Sequence, residues 1–287
     1  MTVSADTIAA PVVAPEISTP PTSRSTRVTM PPKARKATLT AIPLVALLLA
    51  WHLLTTYQVV LWLRFDKIPT PTAVFESFRT QLGTASYYRD IVSSTRRILV
   101  GFGLATVSGV LIGMAVGRSA VVSALVRPVL EVFRPIPAIA LVPLAILLFP
   151  TGEQGIVFIT FFAAFFPVAV STIHAMHALP RVWEEAAHTL GARRRDILFQ
   201  IALPGALPGI FSGLSVAMGV AWICVISAEM ISGQFGIGYF TWQSYGLLDY
   251  PGVIVGMLTI GLLGWFTAWL VELAGRRVNR WLPRAQR

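Results

Sequence analysis

Between Leu39 and Leu273 the chain is a succession of apolar runs, most of them long enough to cross a bilayer, separated by short charged or glycine-rich breaks. In lipid every backbone N–H and C=O must find its partner inside the protein, so such runs have to be helices. The composition agrees: 55% of residues are hydrophobic and only 13% are charged, with a mean hydropathy of +0.69. A soluble domain carries about 25% charged residues, so this chain lacks the polar surface to face water. Five runs stand out directly, at 39–63, 98–117, 156–173, 207–231 and 253–273. Between them, the uninterrupted stretch Pro135 to Phe149 would reach only about 22 Å as a helix, against a hydrocarbon core of about 30 Å, so a further span has to begin earlier. The expectation is an all-α integral membrane protein with about six transmembrane helices.

The charges orient it. The formal net charge is +10 and most of the cations are arginines beside apolar spans, which suits cytoplasmic membrane anchors better than nucleic acid. Residues 1–38, rich in Ala, Pro, Ser and Thr, read as a disordered basic cytoplasmic tail ending in Arg24, Arg27, Lys33, Arg35 and Lys36. The run 39–63 is too long for a signal-peptide core and reads as the first transmembrane helix. Residues 64–97 read as a periplasmic linker with a short helix, although Arg64, Lys67, Arg79, Arg89, Arg96 and Arg97 run against the positive-inside rule there. Residues 98–275 read as the core transmembrane domain, and Arg276, Arg277, Arg280, Arg284 and Arg287 make 276–287 a basic cytoplasmic C-terminus. Both termini and the island 181–204 then fall on the cytoplasmic side.

Small residues recur at every fourth position in two spans: Gly101, Ala105, Gly109, Gly113 and Gly117, then Gly205, Gly209, Gly213, Ala217 and Ala221. Such stripes let helices approach closely in lipid, where apolar packing gains nothing from water. Gly252 and Gly256 make a weaker version. The island itself holds two short amphipathic segments. Val182, Trp183, Ala186, Ala187 and Leu190 recur on one helical face, Gly191 is placed to end that helix, and a second helix runs from Ala192 until Leu203-Pro204 breaks it. A helix pair too polar to cross the membrane and too apolar to float free suits a groove on another protein.

The order Glu185-Ala186-Ala187, three residues, Gly191, nine residues, Ile201, one residue, Leu203-Pro204 closely resembles the EAA loop of ATP-binding-cassette importer permeases. The segment Arg134 to Leu144 and the stretch Trp222 to Glu229 with Gly236 and Gly238 are similar to those of the nitrate, sulfonate and taurine permeases of that class. The resemblance covers roughly Pro69 to Leu273. It implies the MetI-like fold of type I ABC importers in the cell inner membrane, multi-pass, with a cytoplasmic ATPase, a second permease copy and an extracytoplasmic substrate-binding protein as partners. It further implies that Glu184, Glu185, Ala186, Ala187, Gly191, Arg193, Ile201, Leu203 and Pro204 couple to the ATPase, and that the cargo is a small oxyanion such as an alkanesulfonate, taurine or nitrate.

Within the spans Glu229 is the costly residue, since a carboxylate in a membrane helix needs a partner or water. It reads either as part of a translocation pathway or gate with Trp222 and Ser227, or as a structural charge paired with Arg96 or Arg97. No Gly-Lys pair occurs anywhere, so the chain lacks the usual phosphate loop and is not itself an ATPase of that kind. ATP is expected to be used by the partner subunit, with no cofactor or metal bound here. His174 and His177 lack a third ligand nearby, and Cys224 lies in an apolar run. The alternative, an ion-coupled secondary transporter or channel working without an ATPase, calls for broken midplane helices in internal repeats and more intramembrane charge.

Overall fold

The computed structural model describes residues 32–60 and 65–281. Of the tail expected over 1–38, residues 1–31 with Arg24 and Arg27 lie outside those residues, as do the C-terminal Arg284 and Arg287 and also Arg64. The chain divides into two units, Met1–Leu49 and Ala50–Arg287, and the boundary falls within helix α1 (Pro32–Thr56). This helix begins before the expected residue 39 and ends before residue 63. Its start is therefore helical where a disordered tail was expected, and the apolar part that can be described, Val45–Thr56, is shorter than a crossing.

In the second unit, α2 (Pro71–Leu82) is the short helix expected in the linker, begun by Thr70, whose hydroxyl accepts from the Ala73 N–H at 3.3 Å. The linker ends sooner than residue 97, because α3 (Ala85–Arg118) is already helical thirteen residues before Ile98, a count that follows from its start at Ala85. Arg96 and Arg97 thus sit inside a helix. α4 (Ala120–Phe133) starts at Ser119, which caps Val122 N. It is followed by a 3-10 turn, Ala138–Leu141, and α5 (Val142–Leu148). The expected third span is this pair, bent by 80° at the break. Pro135 and Pro137 supply no N–H and disfavour helical backbone in the residues before them, so the ladder cannot run straight through.

α6 (Gly152–His177) follows the Thr151 cap and leads to α7 (Arg181–Thr189). The three-residue α8 (Arg194–Asp196), a π-helical turn over Ile197–Ala202 and α9 (Leu203–Ser232) join into one rod, Arg194–Ser232. Leu203-Pro204 does not break this rod as expected. The π turn shifts the bonding by one residue, with the Leu203 N–H donating to Leu198 O five residues back, and Pro204 falls at the new helix start, where its missing N–H costs nothing. α10 (Ile237–Gly246) and α11 (Tyr250–Val278) complete the bundle, and α11 carries Arg276 and Arg277 in its last turn. Among the described residues four helices, α3, α6, the rod and α11, are each long and apolar enough to cross, and the bent pair makes five when it is counted as one span.

The small-residue stripes place α6 at the centre. A Cβ on Gly101, Gly109, Gly113 or Gly117 of α3 would come within 3 Å of Thr160, Val168, Thr172 or Met176, so α3 runs parallel to α6 at backbone contact. On the other side Gly205, Gly209 and Gly213 of α9 meet Leu179, Ala175 and Ser171 in the antiparallel sense. Gly264 against Trp222 and Gly275 against Phe211 lay α11 antiparallel to α9. The core around α6 is correspondingly fine-grained, with Ala164, Val168, Ala217, Ala221 and Val225 fully buried. Thr160 and Thr172 satisfy their hydroxyls on the carbonyls of Ile156 and Val168 one turn back. Leu99, Leu104, Val107 and Leu111 stay exposed along α3, as lipid-facing side chains do.

These directions define two rims. One holds the starts of α3, α6 and α11, the end of α9, and α10. The opposite one holds the ends of α3, α6 and α11, the start of the rod, and α7.

Candidate functional site

On the second rim, α7 and the start of the rod form an elbow. Pro180 is the residue before α7. At the far end Gly191 takes φ +80°, the left-handed region. Its N–H donates to His188 O at 2.9 Å, and the Ala192 N–H donates to Ala187 O at 3.0 Å, the paired bonds of a glycine-closed helix terminus. The chain then turns at Arg193, whose N–H donates to Asp196 Oδ2 at 3.3 Å and so starts the rod.

The elbow is held from beneath. Ala187 is buried, Trp183 and Leu179 cover Gly205, and Glu184 forms an ion pair with Arg118 at the end of α3. Its outer face is open: Glu185, Ala186, Gly191 and Arg193 are exposed, and Leu190 and Val182 show 87% and 68% of their surface. The five apolar residues expected on one face are thus divided, with Ala187 turned inward and Leu190 and Val182 outward. Leu203 is half-buried; Ile201 and Pro204, with Trp183, Gln200, Gly205 and Trp281, line a cavity of about 360 Å³ beside the elbow. Glu184 is already engaged within the chain, whereas the Glu185 carboxylate has no partner among the described residues. Arg118 was invisible to sequence reasoning because it lies 66 residues from Glu184.

On the first rim lies a buried charge cluster. Arg97 and Glu229 are 1% and 0% exposed. The Arg97 guanidinium donates from Nη1 to Glu229 Oε1 at 2.7 Å and to the Phe235 carbonyl, and from Nε to Glu153 Oε2 at 3.1 Å, with a further bond from Nη2 to Glu153 Oε1. Glu229 also accepts from Ser94 Oγ at 2.7 Å and from the Gly238 N–H at 2.9 Å, so its charge sits at the start of α10, where exposed N–H groups favour an anion. Ser94 accepts from Ile237 N at 2.9 Å, and Asp90 accepts from Gly236 N at 3.0 Å. Gly236 has φ +138°, and a Cβ there would lie 2.3 Å from the Glu229 carboxyl carbon.

From Arg97 to Arg118, α3 rises ~32 Å, about the thickness of a hydrocarbon core, which puts this cluster at one membrane boundary and the elbow at the other. Every oxygen of Glu229 is occupied, and no coordination is left over for a solute. Of its two sequence-level partners, Arg97 is the one engaged. Trp222 instead donates from Nε1 to Thr267 Oγ1 at 2.8 Å, and Ser227 bonds the Ile223 carbonyl of its own helix. Trp222, Ser227 and Glu229 therefore do not converge on a common space. Asp90, Ser94 and Glu153 were missed. The signal was present, since Asp90, Ser94 and Arg97 continue the α3 small-residue stripe outward at helical spacing.

Residues 106–280 match the family model described as the binding-protein-dependent transport system inner membrane component. The taurine transport system permease protein TauC of Escherichia coli (strain K12) is 32% identical over 254 residues, covering 87% of this chain and 90% of that protein. The nitrate import permease protein NrtB of Leptolyngbya laminosa is 30% identical over 188 residues, covering 66% and 67%. In structure, a chain of the MetNI methionine ABC transporter in inward-facing conformations superposes with a TM-score of 0.55 at 23% identity, covering 69% of this chain and 97% of that one, a likeness of fold. The rod, the central α6 and the elbow between them thus belong to a multi-pass membrane protein of the binding-protein-dependent transport system inner membrane component family, an ABC transporter permease.

Proposed function

We propose that this chain is the membrane-spanning subunit of an ATP-driven importer for a small oxyanion, and that its elbow is the part gripped by a separate ATPase. The observation that carries the reading is the elbow's division of labour: one face is locked to the bundle through Ala187, Trp183 and the Arg118–Glu184 pair, while Leu190, Val182 and Glu185 face outward, uncovered by the described residues. A fixed helix with an uncovered apolar face is a docking element. Motion of the ATPases would pass through α7 to α3 and the rod as rigid bodies.

Sidedness follows from charge. The elbow rim gathers Arg118, Arg181, Arg193, Arg194, Arg195, Arg276 and Arg277, so it is the cytoplasmic rim by the positive-inside rule, and the Glu229 cluster faces the extracytoplasmic side. Two permease copies would enclose the path, and an extracytoplasmic binding protein would deliver the cargo. The class of cargo follows the relatives named for taurine and nitrate.

The test is isolation of the chain with its ATPase. The complex is expected to co-purify and, with its binding protein on the extracytoplasmic side of the vesicles, to accumulate labelled taurine or nitrate only with hydrolysable ATP and to show competition within a panel of alkanesulfonates, nitrate and bicarbonate. Accumulation by the permease alone, without nucleotide, would contradict the proposal.

A further inference from the structure

The break between α4 and α5 opens a cavity of about 530 Å³ against α6 and α9. Its walls include Arg134 and Pro137 from the break, Phe162, Phe166 and Ser171 from α6, and Ile223 from α9. Along α6 it reaches from Ala163, ~16 Å below Gly152, to Ser171, ~28 Å below it, which is the middle and the cytoplasmic half of the bundle's height. The walls are mainly apolar, no Asp or Glu lines them among the described residues, and Pro167 brings no N–H to the Ala163 carbonyl. The one charge is Arg134. Its guanidinium is exposed and has no hydrogen-bond or ion-pair partner among the described residues. The nearest carboxylate along its own helix, Glu131, faces Arg127 at 3.6 Å, so the Arg127, Glu131 and Arg134 group carries one net positive charge.

We infer that this cavity is the stretch of the path through which the cargo passes, and that Arg134 makes it selective for small anions. The inference rests on the importer reading above and adds to it the residue that sets the sign of the charge admitted. An apolar passage excludes ions of either sign, and a single unpaired guanidinium lowers that barrier for anions while raising it for cations. One cation also binds weakly enough to let go, as conduction requires. At a separation of about 8 Å in a partly screened site, such a charge alters local anion concentration by roughly tenfold or more.

Two measurements test it. In the complex with its ATPase, Arg134→Gln is expected to lower ATP-dependent uptake of nitrate or of a simple alkanesulfonate about tenfold, and Arg134→Lys to restore most of it. Separately, Ile223→Cys in a Cys224→Ala chain provides one thiol on the cavity wall. It is treated with anionic sulfonatoethyl and cationic trimethylammonioethyl methanethiosulfonate, each rate divided by that on a free thiol in solution. The anionic reagent is expected to be favoured about tenfold, and Arg134→Gln to abolish the preference. Equal normalised rates, or a preference that survives Arg134→Gln, would overturn the inference. Absence of ATP-dependent uptake in the unsubstituted complex would overturn the importer reading instead, and the labelling rates decide the selectivity whichever way uptake falls.

Discussion

Glu229→Ala is expected to destabilise the protein by about 3–5 kcal/mol, the usual consequence of removing one partner from a buried ion pair. The loss is large because Glu229 ties its own helix α9 to both α3 and α10. Without it the Arg97 guanidinium, 1% exposed, keeps only Glu153 and the Phe235 carbonyl, and the Ser94 hydroxyl and Gly238 N–H lose their acceptor. Glu229→Gln retains one carbonyl oxygen in the same place and is expected to be intermediate. Arg97→Met combined with Glu229→Leu removes both charges, and its effect is expected to be well below the sum of the single changes, since residues in one network couple. Thermal unfolding of the purified variants in lipid nanodiscs measures this. A Glu229→Ala chain that melts with the wild type would show that the cluster does not hold the outer rim together.

The second large effect concerns the elbow, and its readout is transport. Gly191→Val is expected to cut uptake at least tenfold while leaving membrane insertion intact. A Cβ at Gly191 would meet nothing within 4 Å, so bulk is not the obstacle. The obstacle is φ +80°, where an L residue pays roughly 1–2 kcal/mol and a β-branched one more. The two bonds that close α7, from Gly191 to His188 and from Ala192 to Ala187, depend on that angle. Asparagine tolerates the left-handed region, so Gly191→Asn is expected to transport near the wild-type level, an outcome that separates strain from size. Glu185→Lys is expected to abolish uptake with the fold unchanged, because this carboxylate is exposed and has no partner among the described residues. Uptake assays paired with surface expression distinguish these results from misfolding.

The bilayer made much of this fold legible. Lipid forces helices, and the fourfold spacing of glycine and alanine in α3 and α9 marks the surfaces that meet α6, because close approach leaves no room for larger side chains. Reading failed where a local rule was answered by a neighbour. Pro204 signals a helix end, yet the π turn at Ile197–Ala202 absorbs it. Arg96 and Arg97 read as part of the linker because a charge is costly within a span, but α3 extends past the hydrocarbon; of the two counter-charges of Arg97, Glu229 is one of the pairings the sequence suggests, while Glu153, 56 residues away on α6, is not. The Arg118–Glu184 brace beneath the elbow leaves no pattern along the chain for the same reason. The elbow itself, by contrast, was readable, since the left-handed turn demands the glycine that the sequence supplies.

The central claim is that the face bearing Leu190 meets a cytoplasmic ATPase. A photoreactive benzophenone attached through Leu190→Cys in a Cys224→Ala chain, irradiated in membranes that contain the ATPase, tests it most directly. The account predicts an adduct with the mass of permease plus ATPase, and no labelling of that cysteine by an impermeant maleimide added from outside. Labelling from the outside with no such adduct would contradict it.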